Sequence, residues 1–305
     1  MQYRTLGGTG FTVSVVGVGT WQLGGEWGKE FEQTEVNRMF DEARRQGINL
    51  IDTAECYGNH RSEELIGEAI KNDRDDWIVA TKFGHYHHDF MDRTTDFSAE
   101  GMVKQLENSL RALQTDYIDV FQFHKVTRET YENDELWAEV EKQKKKGKIR
   151  AIGVSIGHEA FPLRRRQVET VQVIHNRLNR GAEREVLPKA REEGLGVLSR
   201  VPLASGFLSG KYREGQRWPE DDVRSLHEEE KIDERLREVQ RLREEEVPDG
   251  VDMVPWALSW SLQHPAVTAV IPGCKSIEQV RSNASAAELD IGQADHPQAV
   301  ESAGS

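Results

Sequence analysis

The feature that most restricts this chain is an alternation kept up almost from end to end. Short apolar, β-branched stretches at 13–18, 48–51, 77–80, 117–121, 149–154, 170–174, 196–198 and 268–271 predict strands. Longer amphipathic stretches at 33–46, 62–71, 98–113, 132–146, 159–166, 183–193, 251–264 and 276–288 predict helices between them. Strands alternating with helices imply parallel pairing through right-handed crossovers. Eight such units in 305 residues suit a closed (β/α)8 TIM barrel, typically ~250 residues plus insertions. The competing open, doubly wound sheet would bind a dinucleotide through Gly-x-Gly-x-x-Gly after its first strand. The nearest stretch, "GVGTWQ", has Gln22 at the third glycine position, so the barrel is preferred. One α/β domain over 1–291 is expected, followed by a small, polar tail at 292–305.

Two insertions lengthen the units, at 84–97 after the third strand and 200–225 after the seventh. In a barrel both fall on the C-terminal face, where loops cover ligands. The net charge of −13 argues against nucleic acid, whose phosphates need a basic face. Part of it lies in 228–246, read as a solvated helix. No apolar run is long enough for a bilayer, and the N-terminus lacks a signal-peptide pattern. Two cysteines, Cys56 and Cys274, give no disulfide framework and suit a reducing compartment. A cytoplasmic protein, monomeric or weakly homo-oligomeric, is expected. His85, His87 and His88 with Asp89 lack zinc-type spacing and cysteine partners, so they read as loop-surface residues and no metal is expected.

The strand ends carry the chemistry. "INLID" ends in Asp52, "WIVATK" in Lys82 and "YIDVFQFH" in His124, and Tyr57 sits on the loop just beyond Asp52. Singly, each has an ordinary reading: a turn cap, a solvated strand end, a structural histidine, a loop anchor. Jointly, neighbouring strands aim an acid, a base, an imidazole and a phenol at the rim that carries chemistry in a barrel. A tyrosine of pKa about 10 is a poor proton donor unless a nearby ammonium stabilises its phenolate. Asp52 would hold the proton on a buried Lys82, and His124 could hydrogen-bond a carbonyl oxygen or tune the tyrosine. Such a site polarises and protonates a carbonyl, and a hydride from a reduced nicotinamide would complete the reaction.

These residues resemble the aldo-keto reductase superfamily over nearly the whole chain, from "LGGTGFTVSVVGVGTW" to "VIPGCKSIEQVRSN". "DTAECYG", "SEELIGEAI", "ATK" and "DVFQFH" match the family's tetrad in order and spacing, which implies catalytic roles for Asp52, Tyr57, Lys82 and His124. The style of "GKIRAIGVS", "PLASGFLSGKY" and "IPG" is similar to the bacterial branches.

The resemblance implies that Gly19, Thr20 and Trp21 lie beside a dinucleotide, with Trp21, Tyr57 and His124 facing the substrate. It assigns the nicotinamide carboxamide to Ser155 and Gln172, with Asn176 nearby, while Ile156 replaces a frequent asparagine. Arg200 stands where many members stack an aromatic ring, and Pro202, Leu203, Ser205, Gly206 and Lys211 complete that cofactor loop. Gly273, Lys275, Gln279 and Asn283 are implied at the adenine–ribose–phosphate end, where a helix N-terminus can hold phosphate. Ser276 and Gln279 also form an S-x-x-Q capping box. Gln279 replaces a common arginine, and Lys275 keeps a positive charge, so NADP(H) is expected first and NAD(H) second.

The expected substrate is a small carbonyl compound in a pocket with Trp27, Phe83 and Tyr86 as walls. Two other classes stay open: a Schiff-base aldolase using Lys82, and a redox-sensing regulatory subunit similar to potassium-channel β-subunits.

Overall fold

Parallel strands buried on both faces need continuous apolar character, and the core of this protein is built from such strands. The computed structural model describes residues 1–157 and 166–291. The helix expected at 159–166, apart from its last residue, and the tail at 292–305 lie outside them. Along the first half run β1 (Tyr3–Thr5), β2 (Thr12–Ser14), β3 (Val18–Gly19), α1 (Gln33–Arg45), β4 (Leu50–Asp52), α2 (Arg61–Ile70) and β5 (Ile78–Phe83). A hairpin, β6 (His85–Asp89) and β7 (Asp92–Thr95), precedes α3 (Ala99–Ala112) and β8 (Ile118–Phe123). Then come α4 (Arg128–Glu132), α5 (Asp134–Lys145), β9 (Ile149–Ser155), β10 (Thr170–Ile174), α6 (Val186–Glu193) and β11 (Gly196–Arg200). The chain continues through α7 (Glu229–Glu245), α8 (Met253–Leu262), β12 (Ala269–Val270) and α9 (Ile277–Ser285).

The strands pair side by side in the order β3-β4-β5-β8-β9-β10-β11-β12, all in parallel. Parallel bridges Val16–Val270 and Gly19–Gly273, with Gly17 N–H donating to Val270 O at 2.8 Å, join the two edges and close the barrel. A side chain at position 19 would stand 2.5 Å from Ile271 O, so this seam needs Gly19.

Alternation along the strands sorts the side chains into two shells. Ile51, Val79, Phe121, Ile152, Val171 and Val197 face the helices. Leu50, Ala80, Val120, Ala151, Leu198 and Ala269 face inward and meet Leu6 and Val13 of the β1–β2 region, which plugs the N-terminal mouth. The stretch expected as one strand at 13–18 is therefore divided. Thr12–Ser14 folds back antiparallel on Tyr3–Thr5, and the chain joins the barrel from Val16, with Val18–Gly19 as the strand itself.

Other departures have local causes. The helix expected at 132–146 breaks at Asn133, whose side chain caps α5 by accepting the Leu136 N–H at 3.2 Å. The acidic stretch is not solvated all round, because α7 buries Ile232, Leu236, Val239 and Leu242 against Phe207, Met253 and Trp256. Phe83, expected as a pocket wall, lies in the outer shell, stacked on Phe121 at 4.8 Å.

At the end of the barrel away from the polar strand ends, fully buried Asp119 accepts Arg74 Nη2 at 2.6 Å, Val79 N–H at 3.0 Å and Arg150 Nη1 at 3.0 Å. Removing it leaves the part-buried Arg74 guanidinium without its counter-charge and the buried Val79 N–H without its acceptor. Asp119→Ala is expected to lower stability by about 3–5 kcal/mol in urea unfolding.

Candidate active site

The inner shell changes character toward the C-terminal rim. Two residues beyond Leu50, Ala80 and Val120 on the same faces stand Asp52, Lys82 and Gln122, and Lys82 pairs in register with Gln122. A polar layer thus sits directly above an apolar one. Lys82 is 1% exposed and Asp52 4%, so neither charge has water as its main partner.

Lys82 Nζ donates to Asp52 Oδ2 at 2.8 Å, to Thr53 O at 2.6 Å and to Tyr57 Oη at 3.3 Å. The other carboxylate oxygen, Asp52 Oδ1, accepts Gln172 Nε2 at 2.6 Å and Gln122 Nε2 at 3.3 Å. Thr20 holds the Asp52 backbone: its N–H and Oγ1 donate to Asp52 O at 3.0 and 2.9 Å, and Ser62 on α2 donates to its hydroxyl. His124 follows β8 immediately, with its ring edge-on to Tyr57 at 6.1 Å between centroids. The three residues named from the strand ends and Tyr57 of the following loop stand together at one point of the rim.

The electrostatics differ in one respect from the expectation. Burial opposes the Lys82 ammonium, but the Asp52 carboxylate and Tyr57 outweigh it and hold the lysine pKa above its ordinary value. Burial also pushes the Tyr57 phenol up to about 12, and the Lys82 charge pulls it only part of the way back. Tyr57 is therefore a protonated phenol beside a charged lysine. Burial, reinforced by Lys82, Arg200, Arg93 and Lys125, holds His124 well below the usual imidazole range, so its ring is neutral.

One wall of the site is a stack. Trp21 lies 5.9 Å from Tyr57 with its ring inclined by 20°, and Trp27 meets Trp21 edge-on at 5.2 Å. The close approach depends on glycine: a side chain on Gly58, at φ +62°, would meet Gly24 O at 2.5 Å. Trp21 Nε1 donates to the buried carboxylate of Glu26, which also receives Arg93 from β7 at 2.5 and 2.6 Å. Glu26 O accepts the Val223 N–H at 3.1 Å, and Trp27 bridges to Asp222. The segment after β3 is thereby tied to the 84–97 hairpin and to the insertion after β11. The histidines separate: His85 stands edge-on to His124 at 4.8 Å, His87 Nε2 lies 3.7 Å from Glu26, and His88 turns out to Thr94. Tyr86 lies on β6 with the Lys104 ammonium 5.7 Å from its ring centroid.

The remaining expected residues occupy the adjoining rim. Ser155 ends β9, Arg200 ends β11, and Gly273 pairs with Gly19 across the seam. Pro202 and Leu203 lead into the turn Ala204–Ser209, where Ser205 and Gly206 have φ of 59° and 90°, and Lys211 lies over the Tyr212 ring. Gln172 is spent on Asp52, and Asn176 donates to Val201 O at 2.9 Å. Lys275 Nζ donates to Trp27 O, and Gln279 Oε1 accepts the Lys275 N–H at 2.7 Å. Asn283 Nδ2 reaches Gly273 O at 3.5 Å, and Ser276 caps α9 by accepting the Gln279 N–H at 3.3 Å. Among the described residues Arg200 Nε is buried without a hydrogen-bond partner; burial pulls the guanidinium below its ordinary range, and the Asp52 carboxylate offsets only part of that.

Sequence reasoning missed Gln122, Thr53, Glu26 and Arg93. Gln122 was within reach, since it precedes His124 by two residues on an inward-facing strand. The Glu26–Arg93 contact joins two loops and has no local signature.

This geometry belongs to a recognisable class of barrel oxidoreductase. The sequence pattern of the Aldo/keto reductase family matches residues 15–303, and the chain belongs to that family. It is 34% identical over 294 residues to the aldo-keto reductase YhdN of Bacillus subtilis, covering 92% of this chain and 87% of the relative. It is 30% identical to the NADH-specific methylglyoxal reductase of Escherichia coli, covering 97% and 96% of the two chains. The holo form of the aldo-keto reductase AKR11C1 from Bacillus halodurans superposes with a TM-score of 0.81 at 31% identity, covering 97% and 94%. No helix among the described residues is long and apolar enough to cross a membrane.

In alkaline titration followed by phenolate absorbance, the difference between the native chain and Tyr57→Phe isolates one of six tyrosines. That residue is expected to ionise near pH 12 and to shift later still in Lys82→Met. Ionisation of Tyr57 near neutral pH would contradict the balance described above.

Proposed function

We propose that this protein reduces aldehyde and ketone carbonyls to alcohols, reversibly, using a reduced nicotinamide cofactor, with Tyr57 as proton donor. The observation that carries the reading is the Tyr57 Oη–Lys82 Nζ contact of 3.3 Å, with Lys82 in turn held by Asp52 at 2.8 Å. The nicotinamide, when bound, supplies the hydride to the carbonyl carbon. Tyr57 gives its proton to the carbonyl oxygen, and Lys82 stabilises the phenolate left behind. Asp52 keeps Lys82 charged throughout, which works against the Schiff-base alternative, since an amine nucleophile has to be neutral. His124, a neutral ring, offers a nitrogen to orient the oxygen, and Trp21 closes the opposite side.

The residues present fit such a cofactor. The unpaired Arg200 Nε beside the polar layer is a donor awaiting an acceptor, and Ser155, Gly19 and Thr20 stand on the same rim. Lys275, just before α9, is a cation close enough to that helix N-terminus to serve a 2′-phosphate, which favours NADP(H). Its ammonium now serves Trp27 O and would have to turn. NAD(H) is the competing cofactor, and the Escherichia coli relative is NADH-specific by name.

Oxidation of NADPH and NADH against a panel of aldehydes, ketones and sugars tests class, cofactor and substrate together. Tyr57→Phe is expected to lower turnover by at least ~10²-fold while cofactor binding, read by tryptophan fluorescence, is kept. Lys82→Met is expected to be similarly damaging. Tight cofactor binding with slow turnover across the whole panel would point instead to a redox-sensing subunit.

A further inference from the structure

Beside His124 lie two donors that carbonyl reduction does not call on. Glu55 and Cys56 come from the turn after β4, and His124 from the end of β8; their ligand atoms all lie within 4.8 Å of one another. His124 Nδ1 is 3.6 Å from Glu55 Oε1 and 3.7 Å from Cys56 Sγ. A tetrahedral zinc ion bound to nitrogen, oxygen and sulfur at about 2.0–2.3 Å has ligand–ligand edges of roughly 3.4–3.6 Å. The two edges that meet at Nδ1 are therefore close to those of that polyhedron, and the third lies within 4.8 Å.

A second observation concerns the same carboxylate. Glu55 is 2% exposed; Oε1, the oxygen near His124, accepts the His85 N–H at 2.9 Å, and its companion Oε2 is buried with no hydrogen-bond partner among the described residues. A buried carboxylate oxygen left unpaired is costly, and a cation would satisfy it. Charge selects the kind of cation. Lys82, Arg93 and Arg200 surround His124 and oppose a dication unless the ligands neutralise it. A carboxylate and a thiolate together do so, the Cys56 proton leaving to solvent as the metal–sulfur bond forms. A sulfur, an imidazole nitrogen and one carboxylate suit zinc, cobalt(II) or cadmium, not magnesium or calcium.

We propose that Glu55, Cys56 and His124 form a binding site for a divalent cation of the zinc class, with its fourth coordination position open. On the reductase reading, an ion on Nδ1 pins the ring that orients the carbonyl, so zinc would act as an inhibitor. The binding itself does not depend on that reading.

The test uses the full chain after chelator treatment, titrated with Co²⁺ and then challenged with Zn²⁺. One equivalent of Co²⁺ is expected to give a sulfur-to-cobalt charge-transfer band and tetrahedral visible absorption, both removed by Zn²⁺. Cys56→Ser is expected to lose the band, and Glu55→Gln to weaken binding by at least about 10-fold. Absence of the band from the native chain, or its survival in Cys56→Ser, would overturn the proposal. Should Cys56→Ser fail to fold, Cys274→Ser decides, because Cys56 is then the one remaining cysteine. A band there supports the site, and its absence overturns it. Because binding is read without turnover, a negative result leaves carbonyl reduction untouched.

Discussion

A lysine sealed inside a protein keeps its proton only if a negative charge is sealed in with it. The Asp52–Lys82 pair meets that condition, and most of the rim is arranged around it. Two glutamine amides occupy the free oxygen of Asp52, the Thr53 carbonyl takes a further Lys82 proton, and Thr20 with Ser62 fixes the backbone beneath. These contacts leave one direction of the ammonium open, and Tyr57 lies there. The cation does not make the phenol acidic in the resting protein, because burial wins over it. Its effect is reserved for the phenolate, the state that appears only when the proton departs, which is the form of stabilisation that speeds a reaction.

The barrel supports this by a division of labour along each strand. Small inward residues such as Ala80 and Ala151 narrow the apolar layer, and the next inward positions carry the polar one. Stability and chemistry are separated by one turn of the pleat. The Asp119 cluster ties the far end without touching the rim, so the scaffold can be rigid where the site needs it rigid.

Much of this was legible in the chain. The alternation of apolar and amphipathic stretches located seven of the eight barrel strands and met the first only at its edge, and polar residues at the ends of apolar runs located Asp52, Lys82 and His124, because a parallel strand reports its own direction. What stayed hidden depended on contacts distant in sequence. The division after Ser14 arises because Val13 is needed to plug the mouth while Val18 is needed in the wall. The buried face of α7 was obscured by its charge, although Ile232, Leu236, Val239 and Leu242 recur at helical spacing. The donors around His124 went unnoticed because metal motifs are sought along the chain, and these converge from two elements.

The buried carboxylate of Glu26 has a wider reach than its position suggests. Its side chain receives Trp21 and Arg93, its carbonyl receives Val223, and so three rim loops share one anchor. Pocket shape is consequently a joint property of those loops. A graft of the segment after β3 or of the hairpin onto another barrel would carry half of an ion pair into a dry interior, so these loops are transferable only as a set.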